Sequence, residues 1–80
     1  MLDPEPVADR WDAGHMGCGE LVIVLRARLK KIPGAVLRLD AHDAGAPEDI
    51  PAWCGMTRNQ LIAHDPAAHR FWIRSRLDWT

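Results

Sequence analysis

Cys18 is the residue of this chain whose type and position best suit it for chemistry. It lies between Gly17 and Gly19, directly before Glu20 and an apolar run over residues 21–25. This pattern predicts a helix that begins beside the cysteine. Free backbone N–H groups and the positive end of the helix dipole favour the thiolate there, which is the reactive form of cysteine. The sequence therefore predicts a nucleophilic thiol at Cys18.

Few other residues are expected to take part in chemistry. Cys54 follows Trp53 on a predicted apolar helix face, where a free cysteine acts as a small hydrophobic residue; a redox or relay role, including a disulfide with Cys18, is the weaker alternative. His15 either tunes the thiol through a nearby imidazolium or is a solvated loop residue. His15 and Cys18 offer only two metal ligands and the other histidines are scattered along the sequence, so no metal site is predicted.

Composition excludes several classes of protein. The chain has 80 residues, of which 48% are hydrophobic and 26% charged, as expected for one folded domain. A net charge of −1 gives no general attraction to nucleic acid, and two cysteines are too few for a disulfide scaffold. No apolar run is long enough to cross a membrane and no secretory signal is visible. We expect a cytoplasmic domain with reduced thiols and no membrane partner.

Hydrophobic periodicity predicts the elements that position Cys18. Residues 1–9 read as a flexible lead-in to a single domain over residues 10–80. Leu21, Leu25 and Leu29 recur on one helical stripe, with the stem of Arg28 at its edge, and Pro33-Gly34 ends this helix. The predicted elements are a strand over 10–13, a helix over 20–32, a strand over 35–41, a helix over about 47–59, and strands over 60–64 and 69–77. The order β-α-β-α-β-β predicts an α/β (α+β) two-layer sandwich, with a four-stranded mixed sheet and two helices on one face.

The last predicted strand alternates aromatic and basic residues. Trp72 faces away from Phe71, so it either contacts a partner or covers the open face of the sheet. An exposed apolar face there would favour self-association. We therefore expect a monomer or a weak dimer. Arg70, Arg74 and Arg76 read as a solvated strand face rather than a site for single-stranded nucleic acid, so no nucleic-acid partner is predicted.

Four segments in a consistent register resemble the TusA/SirA-like sulfurtransferases, a family of small sulfur-carrier domains. Asp12 lies six residues before Cys18, and Cys18 with Glu20 matches the family's Cys-Pro-x-Pro signature, although Gly19 and Leu21 replace the two prolines. Residues 32–34 match the Pro-Gly that ends the family's first helix. Residues 49–54 match its Asp-Ile-Pro-x-aromatic-Cys segment, which is the most specific of the four, and Gln60-Leu61 follows at the expected distance.

The resemblance implies a sulfur-carrier function for this chain. In the family, the first cysteine accepts a sulfane sulfur from a donor protein as a persulfide and passes it to an acceptor protein, so Cys18 would be the catalytic residue. A cysteine desulfurase or a rhodanese-type protein would be the donor, and no metal or other cofactor is implied. The residues expected to support the site are Asp12, His15, Gly17, Gly19 and Glu20, although the charge of Glu20 would partly oppose the thiolate.

Two further expectations concern partners. Arg10, Arg26 and Lys30 are predicted to form a docking surface for an acidic partner. The alternative to sulfur transfer is a non-catalytic, TusA-like binding or regulatory module that keeps the fold. The loss of the two prolines motivates this alternative, because proline at the first helical position fixes the backbone where glycine leaves it loose.

Overall fold

The computed structural model describes residues 2–79 and contains two helices packed on a four-stranded sheet. The elements, in chain order, are β1 (Asp9–Asp12), α1 (Cys18–Lys30), β2 (Val36–Asp40), α2 (Ala46–Thr57), β3 (Gln60–Asp65), a short 3-10 helix (Pro66–Ala68) and β4 (Arg70–Arg74). Neither α1 nor α2 has the length and apolar character needed to cross a bilayer. The predicted fold class and the predicted element order are both confirmed.

The sheet has the strand order β1-β2-β4-β3 and is mixed. β1 runs parallel to β2, while β4 is antiparallel to both β2 and β3. Parallel strands cannot be joined by a tight turn, and here α1 makes the connection between β1 and β2. As a result, α1 begins where β1 ends, at the edge of the sheet where β2 also ends.

The main core lies between the helices and one face of the sheet. α1 contributes the predicted stripe Leu21, Leu25 and Leu29, each fully buried. The sheet supplies Leu37, Leu39, Phe71 and Ile73, and α2 supplies Ala46, Ile50 and Cys54. Each set follows the period of its element, which is why sequence alone could predict these core residues.

The opposite face of the sheet is covered by the opening segment, residues 2–8. Trp72 is fully buried there, and its indole N–H donates to Asp3 over 2.9 Å. Glu5 pairs with Arg74, and the backbone N–H of Ala8 donates to Val36 over 2.8 Å. Of the two alternatives for Trp72, that of an exposed contact residue is therefore wrong, because the chain itself covers this residue. The flexibility of the opening residues remains a prediction from the sequence.

Element boundaries differ from the predicted ones by a few residues. α1 begins at Cys18 and ends at Lys30, two residues before each predicted end. Asp9, which the sequence assigned to the lead-in, is the first residue of β1, and its carboxylate pairs with Arg28 at 2.8 Å. Arg28 also lies over the Trp11 ring at 5.1 Å. The predicted position of Arg28 at the edge of the apolar stripe is thus confirmed, and its charge is compensated by Asp9.

A substitution in α1 tests whether its leucine stripe stabilises the fold. We expect Leu25→Ala to lower the free energy of unfolding by about 3 kcal/mol, because it removes a fully buried side chain and leaves a cavity. Ile23→Ala, in the same helix, is the matched control: Ile23 is 71% exposed, so its truncation should change stability by less than about 0.5 kcal/mol. Urea denaturation followed by circular dichroism measures both. Equal losses for the two variants would contradict this assignment of the core.

Candidate functional site around Cys18

The turn between β1 and α1 places Cys18 at the first residue of the helix. Asp12 accepts a hydrogen bond from the backbone N–H of Gly14 over 2.8 Å and so supports the turn. Gly14 has a φ of +57°, a left-handed conformation that glycine adopts without steric cost. Gly17 is the N-cap residue, and its carbonyl accepts from the N–H groups of Glu20 and Leu21. Cys18 is partly exposed at this helix start.

The thiol of Cys18 contacts a carboxylate that lies 25 residues further along the chain. Cys18 Sγ donates to Asp43 Oδ2 over 3.2 Å. The same oxygen accepts from the backbone N–H of Gly45 over 3.0 Å, at the start of α2. Asp43 therefore links the N-termini of the two helices and is half-buried between them.

Asp49 brings a second carboxylate to the thiol. It lies in the first turn of α2. A side chain at Gly45 would force the two acids to move, because a Cβ there would lie 2.9 Å from Asp49 Oδ2 and 3.1 Å from Asp43 Oδ2. The absence of a side chain at Gly45 thus leaves both carboxylates in place beside Cys18.

These surroundings hold Cys18 in its protonated form. Burial raises the pKa of Cys18 to about 12, together with hydrogen bonds and charge repulsion from Asp43 and Asp49. This is opposite to the shift that the helix N-terminus alone predicts, so the expectation of a resting thiolate is wrong. Burial and two nearby negative charges together outweigh the partial positive charge of the helix end.

Glu20 does not have the electrostatic role that the sequence suggests. It is exposed in the first turn of α1, and the carboxylates that raise the pKa of Cys18 are Asp43 and Asp49 instead. The remaining support residue, Gly19, has open space around it, since a Cβ would meet no heavy atom within 4 Å. The structure therefore has room for a Cβ at this position.

Three possible metal ligands converge at the site. One ligand atom each from Cys18, Asp43 and Asp49 lies within 4.8 Å of the others. Hydrogen bonds from the thiol and from the Gly45 N–H to Asp43 account for this convergence without an ion. The absence of a metal from the function therefore stays a prediction from the sequence.

The histidines are less scattered than the sequence suggests. His15, His42 and His69 form a row, with ring centroids 5.5 Å apart for the first pair and 4.6 Å apart for the second. His15, for which the sequence left open a role in tuning the thiol or a place as a solvated loop residue, packs its ring beside His42. His64 lies apart from this row and stacks on Phe71 at 4.2 Å.

Cys54 lies in the main core, as predicted. It is only 2% exposed, and burial raises the pKa of its thiol to about 11. Both cysteines are free thiols. These surroundings suit a packing role for Cys54.

The three cations predicted to form one docking surface do not share a face. Arg26 and Lys30 are exposed, one turn apart on α1. Arg10 alternates with Trp11, which packs against the main core, so Arg10 points to the opposite side of the sheet, where it pairs with Asp3 at 3.3 Å. Only Arg26 and Lys30 can meet the same partner surface.

Sequence reasoning placed neither Asp43 nor Asp49 beside Cys18. Asp43 lies in a segment predicted as a loop, and nothing local relates it to a cysteine 25 residues earlier. The topology could have revealed that Asp43 lies near Cys18, because loops that follow parallel strands meet at the carboxyl edge of a sheet. That rule brings the loop after β2 next to the turn after β1.

Comparisons with known proteins agree with the resemblance seen in the sequence. The family model described as "Sulfurtransferase TusA" matches residues 10–75. The "Sulfur carrier protein TusA" of Pseudomonas paraeruginosa is 30% identical over 76 residues, covering 91% of this chain and 96% of its own length. The protein of the same name from Pseudomonas fluorescens is 32% identical over 79 residues, covering 92% of this chain and 95% of its own length. This chain belongs to the TusA family.

Proposed function

We propose that the protein is a sulfur carrier that holds sulfane sulfur as a persulfide on Cys18. The supporting observation is the position of Cys18, a partly exposed thiol at the first residue of α1, beside a carboxylate that can accept its proton. Relatives that match over nearly the whole chain are named sulfur carrier proteins. The working compartment that we propose is the cytoplasm, where thiols stay reduced.

The loading step exchanges one sulfur–sulfur bond for another. Cys18 Sγ attacks the outer sulfur of a persulfide on the donor protein, and a new S–S bond forms. The S–S bond of the donor breaks, and its own sulfur leaves as a thiolate that takes up a proton. The products are a Cys18 persulfide and a donor thiol, so the exchange needs no oxidant and no cofactor. Delivery to an acceptor repeats the exchange, with the carrier as the persulfide.

Asp43 is suited to handle the proton in this exchange. Cys18 begins as a thiol, and its S–H already points at Asp43 Oδ2. As the new S–S bond forms, the sulfur becomes more acidic and the carboxylate can take its proton, which then passes to the leaving thiolate. A docked donor that supplies a positive charge would favour ionisation further, because opposite charges lower the pKa of a thiol.

A binding or regulatory module without transfer chemistry is the second candidate function. Two observations favour it: the pKa of Cys18 is raised to about 12, and Gly19 replaces the family's proline at the helix start. In this case Cys18 would be no more reactive than free cysteine. The persulfide-loading experiment below separates the two functions.

We expect Cys18→Ser to abolish persulfide loading and Cys54→Ser to leave most of it. Cys54 is buried in the core, whereas Cys18 is reachable from solvent. The measurement is intact-protein mass spectrometry after incubation with a cysteine desulfurase and cysteine, where loading adds one reducible sulfur.

The same experiment includes a low-molecular-weight persulfide as a second donor. Loading that survives Cys18→Ser would contradict the assignment of the carrier residue. No loading of the wild type from either donor would favour the binding module.

Replacing Asp43 should make Cys18 more acidic. In a Cys54→Ser background, we expect Asp43→Asn to lower the pKa of Cys18 from about 12 towards its ordinary value of 9.0, because a negative acceptor is removed. The rate of alkylation at neutral pH should rise at least about threefold, since the larger thiolate fraction outweighs its lower nucleophilicity. Ultraviolet absorbance of the thiolate against pH gives the pKa.

Glu20→Gln is the matched control for Asp43→Asn. It removes an exposed carboxylate from the first turn of α1, the turn that begins at Cys18. We expect the pKa of Cys18 to stay close to its value in the parent protein. If both variants lowered the pKa equally, the contact between Cys18 and Asp43 would not be its cause.

Arg26 and Lys30 are proposed to contact an acidic surface of a donor protein. Charge reversal of both residues should slow association with a cysteine desulfurase by about tenfold at low salt, because steering depends on exposed charge. Arg10→Glu, on the opposite side of the sheet, should leave the association rate unchanged. Surface plasmon resonance at two salt concentrations measures the association rates. Equal slowing by the double reversal and by Arg10→Glu would exclude a localised docking surface.

A further inference from the structure

A cavity of about 310 Å³ lies at the edge of the sheet opposite Cys18. Ser75 exchanges backbone hydrogen bonds with the residues before β2: its N–H donates to Ala35 and its carbonyl accepts from Gly34. The cavity therefore lies beside the first residue of β2, whereas Asp43 and Cys18 lie beyond its last. The five residues of β2 separate the two places by roughly 16 Å.

Three arginines line this cavity, together with Gln60 and Ser75. The guanidinium of Arg74 is already compensated, since it pairs with Glu5 and donates to the carbonyl of Gly34 over 3.1 Å. Arg58 and Arg76 differ from it, because neither forms an ion pair with a carboxylate of residues 2–79. The cavity thus carries positive charge that the described part of the protein does not neutralise.

Contacts on two sides hold Arg76 in place. Its Nη1 donates to the carbonyl of Thr57 over 2.9 Å, at the C-terminus of α2, and its guanidinium lies over the Trp79 ring at 4.4 Å. Its Nε is buried and finds no hydrogen-bond partner in the described structure. A buried N–H without an acceptor is unusual in folded proteins, and it leaves Arg76 with unused donor capacity.

Arg58 completes the charged wall of the cavity. It follows the last residue of α2 and has a φ of 63°. This left-handed conformation turns the chain from α2 towards β3 and places an exposed arginine beside the cavity. Asparagine adopts the same backbone conformation, so the charge of Arg58 can be removed without disturbing the turn.

We propose that this cavity binds a small ligand carrying a phosphate or similar oxyanion group. Guanidinium groups bind such oxygens through charge-assisted hydrogen bonds. Arg58 is exposed for this, and Arg76 adds the charge of a guanidinium that has no carboxylate partner among residues 2–79. The volume is at the lower end of the range for small-molecule sites. The nearby aromatic residues offer no free platform for the bases of a single strand, because Phe71 and Trp72 are buried and the Trp79 ring is already in contact with Arg76 and Arg26. A free oxyanion ligand therefore fits better than a nucleic acid, and this site is independent of Cys18.

Titration with inorganic phosphate, followed by nuclear magnetic resonance at constant ionic strength, tests the proposal. Phosphate should shift the backbone signals of residues 75–77 and the side-chain Nε–H signal of Arg76. The indole signal of Trp79 should also move, because its N–H donates to Ser75 Oγ over 2.9 Å. Saturable shifts confined to these groups are the expected result. Weak shifts spread over all exposed basic residues would overturn the proposal.

Two variants localise the binding. Arg58→Asn should weaken the apparent affinity for phosphate about fivefold or more, because it removes one uncompensated cation. Arg10→Gln removes one positive charge from the sheet face that residues 2–8 cover, and it should leave the affinity for phosphate unchanged. An unchanged affinity in Arg58→Asn, or an equal loss in both variants, would overturn the site.

A short single-stranded oligonucleotide forms the second arm of the titration. If it shifted the cavity signals and inorganic phosphate did not, the surface would belong to a nucleic-acid partner and the proposal would be wrong. The Cys18→Ser variant should bind phosphate as well as the wild type does. Failure of sulfur loading and failure of phosphate binding are therefore separate results.

Discussion

The packing of α1 against the sheet is the constraint on which the site depends. β1 and β2 are parallel, so the chain must return along the whole sheet before β2 can begin, and α1 makes that return. Burial of Leu21, Leu25 and Leu29 fixes the helix against the sheet face. Its first residue, Cys18, is thereby held at the edge where β2 also ends. The loop after β2 then brings Asp43 to the thiol, although 25 residues separate them in sequence.

At this edge, the positive ends of two helices meet two carboxylates. A helix N-terminus carries about half an elementary charge, whereas each carboxylate carries a full one, so the acids add to the effect of burial and keep the pKa of Cys18 raised. The consequence is a resting thiol rather than a thiolate. Since the thiolate is the form most readily oxidised, a protonated Cys18 is protected from oxidation. Under the proposed carrier function, the encounter with a donor would then control its reactivity.

Local patterns in the sequence were enough to predict the elements, the core and the position of Cys18 near a helix start. Leu21, Leu25 and Leu29 repeat at helical spacing, and Leu37 and Leu39 alternate as a strand does, so burial follows directly from the order of residues. Trp72 could not be placed in this way. Its cover comes from Asp3, which lies 69 residues away, and no local period reports such a contact.

The site was only partly predictable for the same physical reason. The helix start determines where Cys18 lies, but its protonation depends on burial and on Asp43 and Asp49, which belong to another loop and another helix. Electrostatic effects of this kind act through space, and the sequence order of the charges does not reveal which of them will meet. Glu20, two residues from the thiol, was the natural candidate, whereas the structure gives that role to distant acids.

The position of charges in the fold also matters for the molecule as a whole, because the net charge does not show where they lie. Ten basic and eleven acidic residues give a net charge of −1, which argues against an anionic ligand. In the fold, however, the acidic residues are unevenly distributed. Asp3 and Glu5 lie on the sheet face that residues 2–8 cover, where they pair with Arg10, Arg38 and Arg74. Arg58 and Arg76 are left beside the cavity without such partners in the described residues. Because the interaction between charges falls with distance and is screened by salt, a local excess of two cations attracts an anion despite an acidic total.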